Sequence, residues 1–258
     1  SYTVNDAKGN FLANASRASR KDARDAVVAA RKAQSGWAGR TPYNRGQILY
    51  RVAEMLEGRR DQFTDELRAT GLTKAAAGTE VDAAVDRWVW YAGWADKIAQ
   101  ITGTANPVSG PFFNFSTPEP SGVVGIIAPD GPLLGLVSVL APVIVTGNTA
   151  VLVASEPSPL PAITLGEVLA TSDVPGGVVN ILTGHRAELA PWLASHMDVN
   201  ALDLTGAGDA LAVECEKAAA DNLKRVLRPA RGDWTGDPGT HRMTTFLETK
   251  TVWHPVGV

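Results

Sequence analysis

Residues 122–153 read GVVGIIAPDGPLLGLVSVLAPVIVTGNTAVLV, and the order of residue types in this stretch decides the fold. Gly122–Ala128 is a nearly continuous apolar run of the kind found in strands covered on both faces. Pro132–Thr146 is helical in pattern, and Thr149–Val153 (TAVLV) is again strand-like.

Working outward toward the C-terminus, the same rhythm repeats. Strand-like runs at Gly177–Leu182, Asn200–Leu204 and Leu223–Leu227 alternate with helical stretches at Pro159–Thr171, Arg186–Ser195 and Gly208–Ala220. This alternation predicts an α/β fold with a doubly wound, Rossmann-like parallel sheet covered by helices on both faces. Arg228–His241 (RPARGDWTGDPGTH) is rich in turn residues and reads as a loop, and Thr244–Trp253 alternates as one last strand. Toward the N-terminus, Phe112–Thr117 reads as a strand broken by Pro118 and Pro120. Before it the period is helical. A polar arm runs through Asn14, Ser19 caps a helix to Trp37, Thr41–Ala69 carries an i, i+3/i+4 stripe with Pro42 in its first turn, and Ala75–Ile101 makes a third helix. These three helices are expected to precede any strand. No internal repeat is found.

Composition narrows the function classes. The 258 residues are 45% hydrophobic, with 24 Lys+Arg against 27 Asp+Glu, a formal charge of −3. No basic stripe with interleaved aromatics offers itself to a phosphate backbone, so nucleic acid is not an expected partner. The longest apolar run, Leu133–Val145, is interrupted by Gly135, Ser138 and Pro142 and falls short of the roughly 20 residues that cross a bilayer. The polar N-terminal residues do not suggest a signal peptide. One cysteine excludes an internal disulfide and fits a reducing cytoplasm. His185, His196, His241 and His254 lack metal-ligand spacing and are expected in surface or capping roles, so no metal is expected. Most of the seven tryptophans are assigned to packing, and Asp61/Asp65/Glu66 and Asp82/Asp86 to solvated helix faces.

Taken in order, GVVGIIAPDGPLL (122–134), LAPVIVTGNTAVLVASEPSPL (140–160), PGGVVNILTG (175–184), SHMDVNALDLTGA (195–207) and AAADNLKRV (218–226) resemble the cofactor domain of the aldehyde dehydrogenase superfamily. ARKAQSGWA (30–38) and RGQILYRVAEMLE (45–57) are similar to its N-terminal helices, and FLETKTVWHPVG (246–257) to the end of some members. The resemblance implies nicotinamide-dependent aldehyde oxidation through a cysteine thiohemiacetal, with a glutamate as general base.

Position by position, the resemblance implies that much of that chemistry is missing. Asp130 stands where the family's oxyanion asparagine would be, and a carboxylate there repels a developing oxyanion. Val153-Ala154-Ser155-Glu156 stands for lysine-proline-alanine-glutamate, leaving Glu156 alone to accept from a ribose. Thr205 and Gly206 keep the family's turn, which could aim N–H groups at a pyrophosphate, but Leu211 takes the place of a closing glycine. Gly206-Ala207-Gly208 is a GxG without its third glycine. No residue aligns with the base or the nucleophile, and Cys215 lies between Glu214 and Glu216, which would raise its pKa.

The expected organisation is a helical N-terminus plus Rossmann-like cofactor domain over 1–227, with an oligomerisation strand at about 111–119. A loop over 228–243 replaces the catalytic domain, Thr235–Thr240 being its deletion scar, and 244–258 forms a C-terminal oligomerisation strand. In the family the two strands form an arm that adds to a neighbouring subunit's catalytic sheet. The implied function is therefore a non-catalytic partner of a full-length aldehyde dehydrogenase, with no cofactor held tightly. The alternatives are a residual NAD- or NADP-dependent oxidoreductase using Glu156, Thr205 and Gly206 with a borrowed nucleophile, or a nucleotide-sensing module.

Overall fold

The computed structural model describes residues 1–131, 133–229 and 233–257. Pro132, expected to open a helix, and Ala230, Arg231 and Gly232 of the expected loop lie outside the described residues.

The polar arm through Asn14 is a hairpin, so two strands precede the first helix, which was expected to precede any strand. Strands β1 (Tyr2–Asn5) and β2 (Phe11–Ala15) pair antiparallel, and Asp6 Oδ1 closes the tip by accepting from the N–H groups of Lys8 and Asn10, both at 2.8 Å. Helix α1 (Arg20–Ala38) follows, and Ser19 and Asp22 form the capping box that opens it. The expected helix 41–69 is two helices, α2 (Pro42–Glu57) and α3 (Arg60–Ala69), broken at Gly58-Arg59. The bend brings Phe63 and Leu67 fully into the core. The expected helix 75–101 is likewise α4 (Lys74–Trp94) and α5 (Ile98–Thr102), and the turn between them buries Ile98.

Strand β3 (Thr104–Asn106) and strand β4 (Phe112–Pro120) start a small sheet. Pro118 and Pro120 do not break β4. Beyond Ser116 it has no neighbour on the β3 side, so no second strand asks for a proline N–H there.

The larger sheet then forms through β5 (Val123–Ile127), α6 (Leu133–Val145), β6 (Thr149–Val153), α7 (Leu160–Ala170), β7 (Val179–Leu182), α8 (Arg186–Ser195), β8 (Ala201–Asp203), α9 (Asp209–Ala219) and β9 (Arg225–Leu227). It is parallel throughout, in the order β7-β6-β5-β8-β9. Alternate residues of β5 serve the two faces: Val124 and Ile126 pack with α2, α4, α6 and α7, and Val123 and Ile127 with α1, α8 and α9. Trp37 of α1 is buried and donates Nε1–H to Ile144 O at 2.8 Å. Arg45 is buried beside it and donates to Val145 O at 3.1 Å, satisfying carbonyls at the end of α6.

The last expected strand starts later than its pattern suggests. Burial of Met243 and Phe246 draws the chain into helix α10 (His241–Thr245), and β10 spans Leu247–Pro255. The segment 228–243 is thus not wholly loop. Strand β10 pairs antiparallel with β4 along nine residues, giving the arm β10-β4-β3. No helix among the described residues is long and apolar enough to cross a membrane.

Candidate functional site

Strands β5 and β8 are neighbours whose connections leave in opposite directions, and in open parallel sheets the crevice outside the carboxyl ends of such strands is where ligands collect. Four turns meet there, after β5, β6, β7 and β8, and they carry Asp130, Glu156, His185 and Thr205-Gly206 respectively.

Arg186, the first residue of α8, ties three of these turns together. Its guanidinium is largely buried and forms a two-pronged ion pair with Asp130, with Nη1 at 2.9 Å from Asp130 Oδ2. Nη1 also donates to Gly206 O at 3.0 Å, and Ser155 Oγ donates to Asp130 Oδ1 at 2.9 Å. The backbone N–H of Arg186 donates to Glu156 Oε2 at 3.2 Å, while His185 Nδ1 lies 2.6 Å from Glu156 Oε1. Strand β1 leans over this network, with the Tyr2 ring centroid 5.8 Å from that of His185. A cavity of about 570 Å³ remains between Tyr2, Asn5, Asp130, Glu156 and Arg186.

The residues singled out from the sequence do meet in this crevice, but with their polar atoms occupied. Thr205 donates N–H to Asp203 Oδ1 at 3.0 Å and its hydroxyl to the same oxygen, and Gly206 donates N–H to Ile127 O at 2.8 Å. The N–H groups of Thr205 and Gly206 are therefore spent within the chain. Glu156, the remaining ribose acceptor, is held by His185 and Arg186. These residues do not fit a tightly held dinucleotide. Gly206 is needed for packing instead: a Cβ there would collide with the carbonyl of Ala128. Leu211 packs against the core on the α8–α9 side.

Arg186 and His185 were not among the residues expected at the site, and His185 was expected in a surface or capping role. The available signal was charge. Asp130 in the turn at the carboxyl end of the central strand needs a counter-ion, and Arg186 is the basic residue at the corresponding end of β7. Glu66 was likewise assigned to a solvated face, but it is half-buried and accepts from Thr164 Oγ1 at 2.5 Å, and burial raises its carboxyl pKa.

A second charged cluster lies below β8. Asp203 is fully buried and accepts from Arg242 Nη1 at 2.6 Å, and Arg242 Nη2 donates to Thr205 Oγ1 at 3.0 Å. Burial pushes the Asp203 carboxyl upward, opposed by Arg242 and Thr205. Arg242 also sits 5.1 Å from the Trp234 ring centroid. The one cysteine is elsewhere: Cys215 is buried in α9, and burial, with Glu214 beside it, pushes its thiol up to about 11. A thiol held protonated in a core is not a nucleophile. Among the described residues no group of three or more His, Cys, Asp or Glu is placed to hold a metal ion.

The sequence-family comparison matches the model described as "Aldehyde dehydrogenase family" over residues 2–230. The chain belongs to the aldehyde dehydrogenase family. Cytosolic aldehyde dehydrogenase 1 of Elephantulus edwardii is 33% identical over 230 residues, covering 86% of this chain and 45% of that protein. Retinal dehydrogenase 2 of Homo sapiens is 33% identical over 228 residues, covering 86% and 43%. Among solved structures, an NAD+ complex of aldehyde dehydrogenase from Bacillus cereus superposes with a TM-score of 0.81 at 29% identity, covering 87% of this chain and 46% of that one. Betaine aldehyde dehydrogenase from Staphylococcus aureus, also with NAD+, gives 0.82 at 26% identity over 87% and 45%. The chain therefore spans about half the length of the aldehyde dehydrogenase family members it matches. Trp234, Arg242 and β10 lie outside the matched residues.

The Glu156 contact gives a pH prediction. Burial works to raise this carboxyl, but the hydrogen bonds from His185 and the Arg186 N–H prevail and lower it below its ordinary value of 4.5. A depressed carboxyl stabilises the fold above its unfolded pKa and loses that contribution as pH falls through the folded one. The melting temperature of the wild type is expected to exceed that of Glu156→Gln from neutral pH down to about 4.5, and the two curves to converge below it. A gap that does not narrow as the pH falls below 4.5 contradicts the assignment.

Proposed function

We propose that this chain is a non-catalytic member of the aldehyde dehydrogenase family that assembles with a full-length aldehyde dehydrogenase through the arm β10-β4-β3. The observation that carries this reading is the arm itself. Strand β10 pairs with β4 along nine residues and has no neighbour on its other side among the described residues. Phe112, Phe113 and Trp253 stand exposed at its tip. A long strand edge beside exposed aromatics favours pairing with another sheet and is an aggregation hazard without one. The resemblance points to a catalytic sheet as the receiver, and among the described residues the only sheets are the β1-β2 hairpin, the arm and the five-stranded parallel sheet.

Two features of the crevice support a stabilising or regulating role over a catalytic one. Asp130, Glu156, Thr205 and Gly206 are engaged inside the chain, so NAD or NADP is bound weakly if at all. The single cysteine is buried and protonated. The second reading, a residual NAD- or NADP-dependent oxidoreductase with a nucleophile borrowed from its partner, draws on the NAD+ held by the related structures.

The test is a pull-down of the tagged chain from its native extract, with light-scattering mass and aldehyde-dependent NADH formation measured on the chain alone and on the recovered complex. Recovery of a cysteine-containing aldehyde dehydrogenase in fixed ratio is expected, with no NADH formed by the chain alone. Recovery should be lost with Trp253→Asp, which charges the arm tip and leaves the core untouched. A stable homo-oligomer that reduces NAD with aldehyde would overturn the proposal.

A further inference from the structure

A second, smaller cavity lies on the opposite side of the Asp203–Arg242 pair, where the segment from Asp233 to Arg242 closes over α4 and α6. Its volume is about 170 Å³. That is room for a few water molecules or one metabolite of amino-acid size, and is well below a drug-sized site. Gly135 of α6 lets the Trp234 indole pack close to the helix, since a Cβ there would press on Pro129 and on the indole.

The floor of the cavity consists of donors. Arg87 of α4 is buried and gives its guanidinium protons to Ser138 Oγ at 2.8 Å, Trp234 O at 2.6 Å and Gly236 O at 3.0 Å. All three acceptors are neutral, so a buried cation is solvated here without a carboxylate partner, which is a costly arrangement. Beside it Tyr91 is fully buried, lines the cavity, and has a hydroxyl with no hydrogen-bond partner among the described residues. Burial pushes that hydroxyl up to about 12, so it carries its proton throughout the physiological range.

The rim is of opposite character. Asp233 and Asp237 are exposed at the mouth, with the Trp234 indole between them. Each carboxylate caps its own turn through one oxygen, Asp233 toward the Thr235 N–H at 2.8 Å and Asp237 toward the Gly239 N–H at 3.0 Å. Around the cavity two guanidiniums, Arg87 and Arg242, face three carboxylates, Asp203, Asp233 and Asp237. The surroundings thus carry no net positive charge to draw a simple anion. They do have direction: cation and hydroxyl donors within, carboxylates and an aromatic face without.

We propose that this cavity binds a small zwitterion of amino-acid size, its carboxylate taken by Tyr91 and Arg87 and its ammonium turned to Asp237 and the Trp234 ring. An inward carboxylate gives Tyr91 its missing acceptor and Arg87 its missing counter-charge, and an ammonium meets carboxylate and π-face at the mouth. Bound there, the ligand touches α4, α6 and the segment leading to β10, and so fastens the arm strand to the core.

The test uses the purified chain with L-alanine as probe, and acetate and ethylamine as the two half-molecules, read by calorimetric titration and by thermal melting. L-alanine is expected to bind saturably and raise the melting temperature, and neither half-molecule to do so at equal concentration. The decisive variant is Tyr91→Phe. Its hydroxyl has no partner in the free protein, so the unliganded melting temperature should hold or rise while affinity for L-alanine falls about tenfold. Asp237→Asn, on the exposed rim, should weaken L-alanine severalfold without changing the fold. Arg87→Met is less informative because Arg87 also anchors Trp234 and Gly236. The proposal is overturned if L-alanine gives no saturable signal, if acetate binds as well as L-alanine, or if Tyr91→Phe binds L-alanine unchanged. None of these outcomes bears on whether the arm recruits a partner.

Discussion

Alanine at Gly206 is expected to destabilise the fold by about 4 kcal/mol or more, among the largest effects a single methyl group can have. In a domain of this size that corresponds to a fall in melting temperature of roughly 10 °C. The reason is space, since Gly206 does not require a left-handed backbone. Its added Cβ would overlap the carbonyl of Ala128 and crowd that of Ile127. Neither side can retreat: Gly206 N–H is bonded to Ile127 O, and β5 and β8 are locked in parallel register from Val124↔Ala201 to Ile126↔Asp203. A shift would also withdraw Gly206 O from Arg186 and disturb the Asp130 pair. Gly208, two residues on, is the control, because nothing lies within 4 Å of its added Cβ. Thermal melts followed by circular dichroism should separate the two, with Gly208→Ala near wild type. If Gly206→Ala melts within a degree or two of wild type, the close approach of these two turns is wrong.

The central sheet was legible because its strands are short continuous apolar runs separated by helix-length segments. That pattern has few other solutions, and β5, α6 and β6 lie almost where the residues indicate. The misread elements are those where pattern and packing part. Residues YTVN and FLANA of β1 and β2 are too short and polar to alternate visibly, and they hold through a turn tied by Asp6. The helical stripe runs unbroken across Gly58-Arg59, yet a straight helix would carry Phe63 and Leu67 away from the core they fill. Prolines 118 and 120 read as breakers because the one-sided exposure of β4 at that point is a tertiary fact. At the site, the positions of Asp130, Glu156, Thr205 and Gly206 could be placed from local sequence. Their partners could not: Arg186 is 56 residues from Asp130, and Arg242 is 39 from Asp203. Pairing at that distance is decided by strand order, which residue types along one chain do not specify.

The Asp203–Arg242 pair is the second place where a single substitution should be severe. Asp203 is fully buried, and Arg242 is its charge partner at 2.6 Å. Removing either member leaves a buried charge uncompensated, so Asp203→Ala and Arg242→Ala are each expected to cost about 3–5 kcal/mol. Urea denaturation measures this as a lower midpoint at similar slope. Taken alone, such a loss could reflect any buried contact, and the double variant is what identifies the pair. With Asp203→Asn and Arg242→Met together, no charge is left to solvate and the Asn Oδ1 still accepts from Thr205, so stability should recover most of the way to wild type because uncharged replacements of a buried ion pair are often tolerated. Additive losses would mean that the two residues contribute independently. The pair also carries weight beyond its own energy. Arg242 supports the Trp234 ring and Thr205, and α10 delivers the chain from the matched family core to β10. An Arg242→Ala variant should therefore loosen β10 before the parallel sheet, with amide protons of Thr249–Val252 exchanging faster than those of Val123–Ile127. Equal acceleration of both strands would show that the arm is not fastened through this contact.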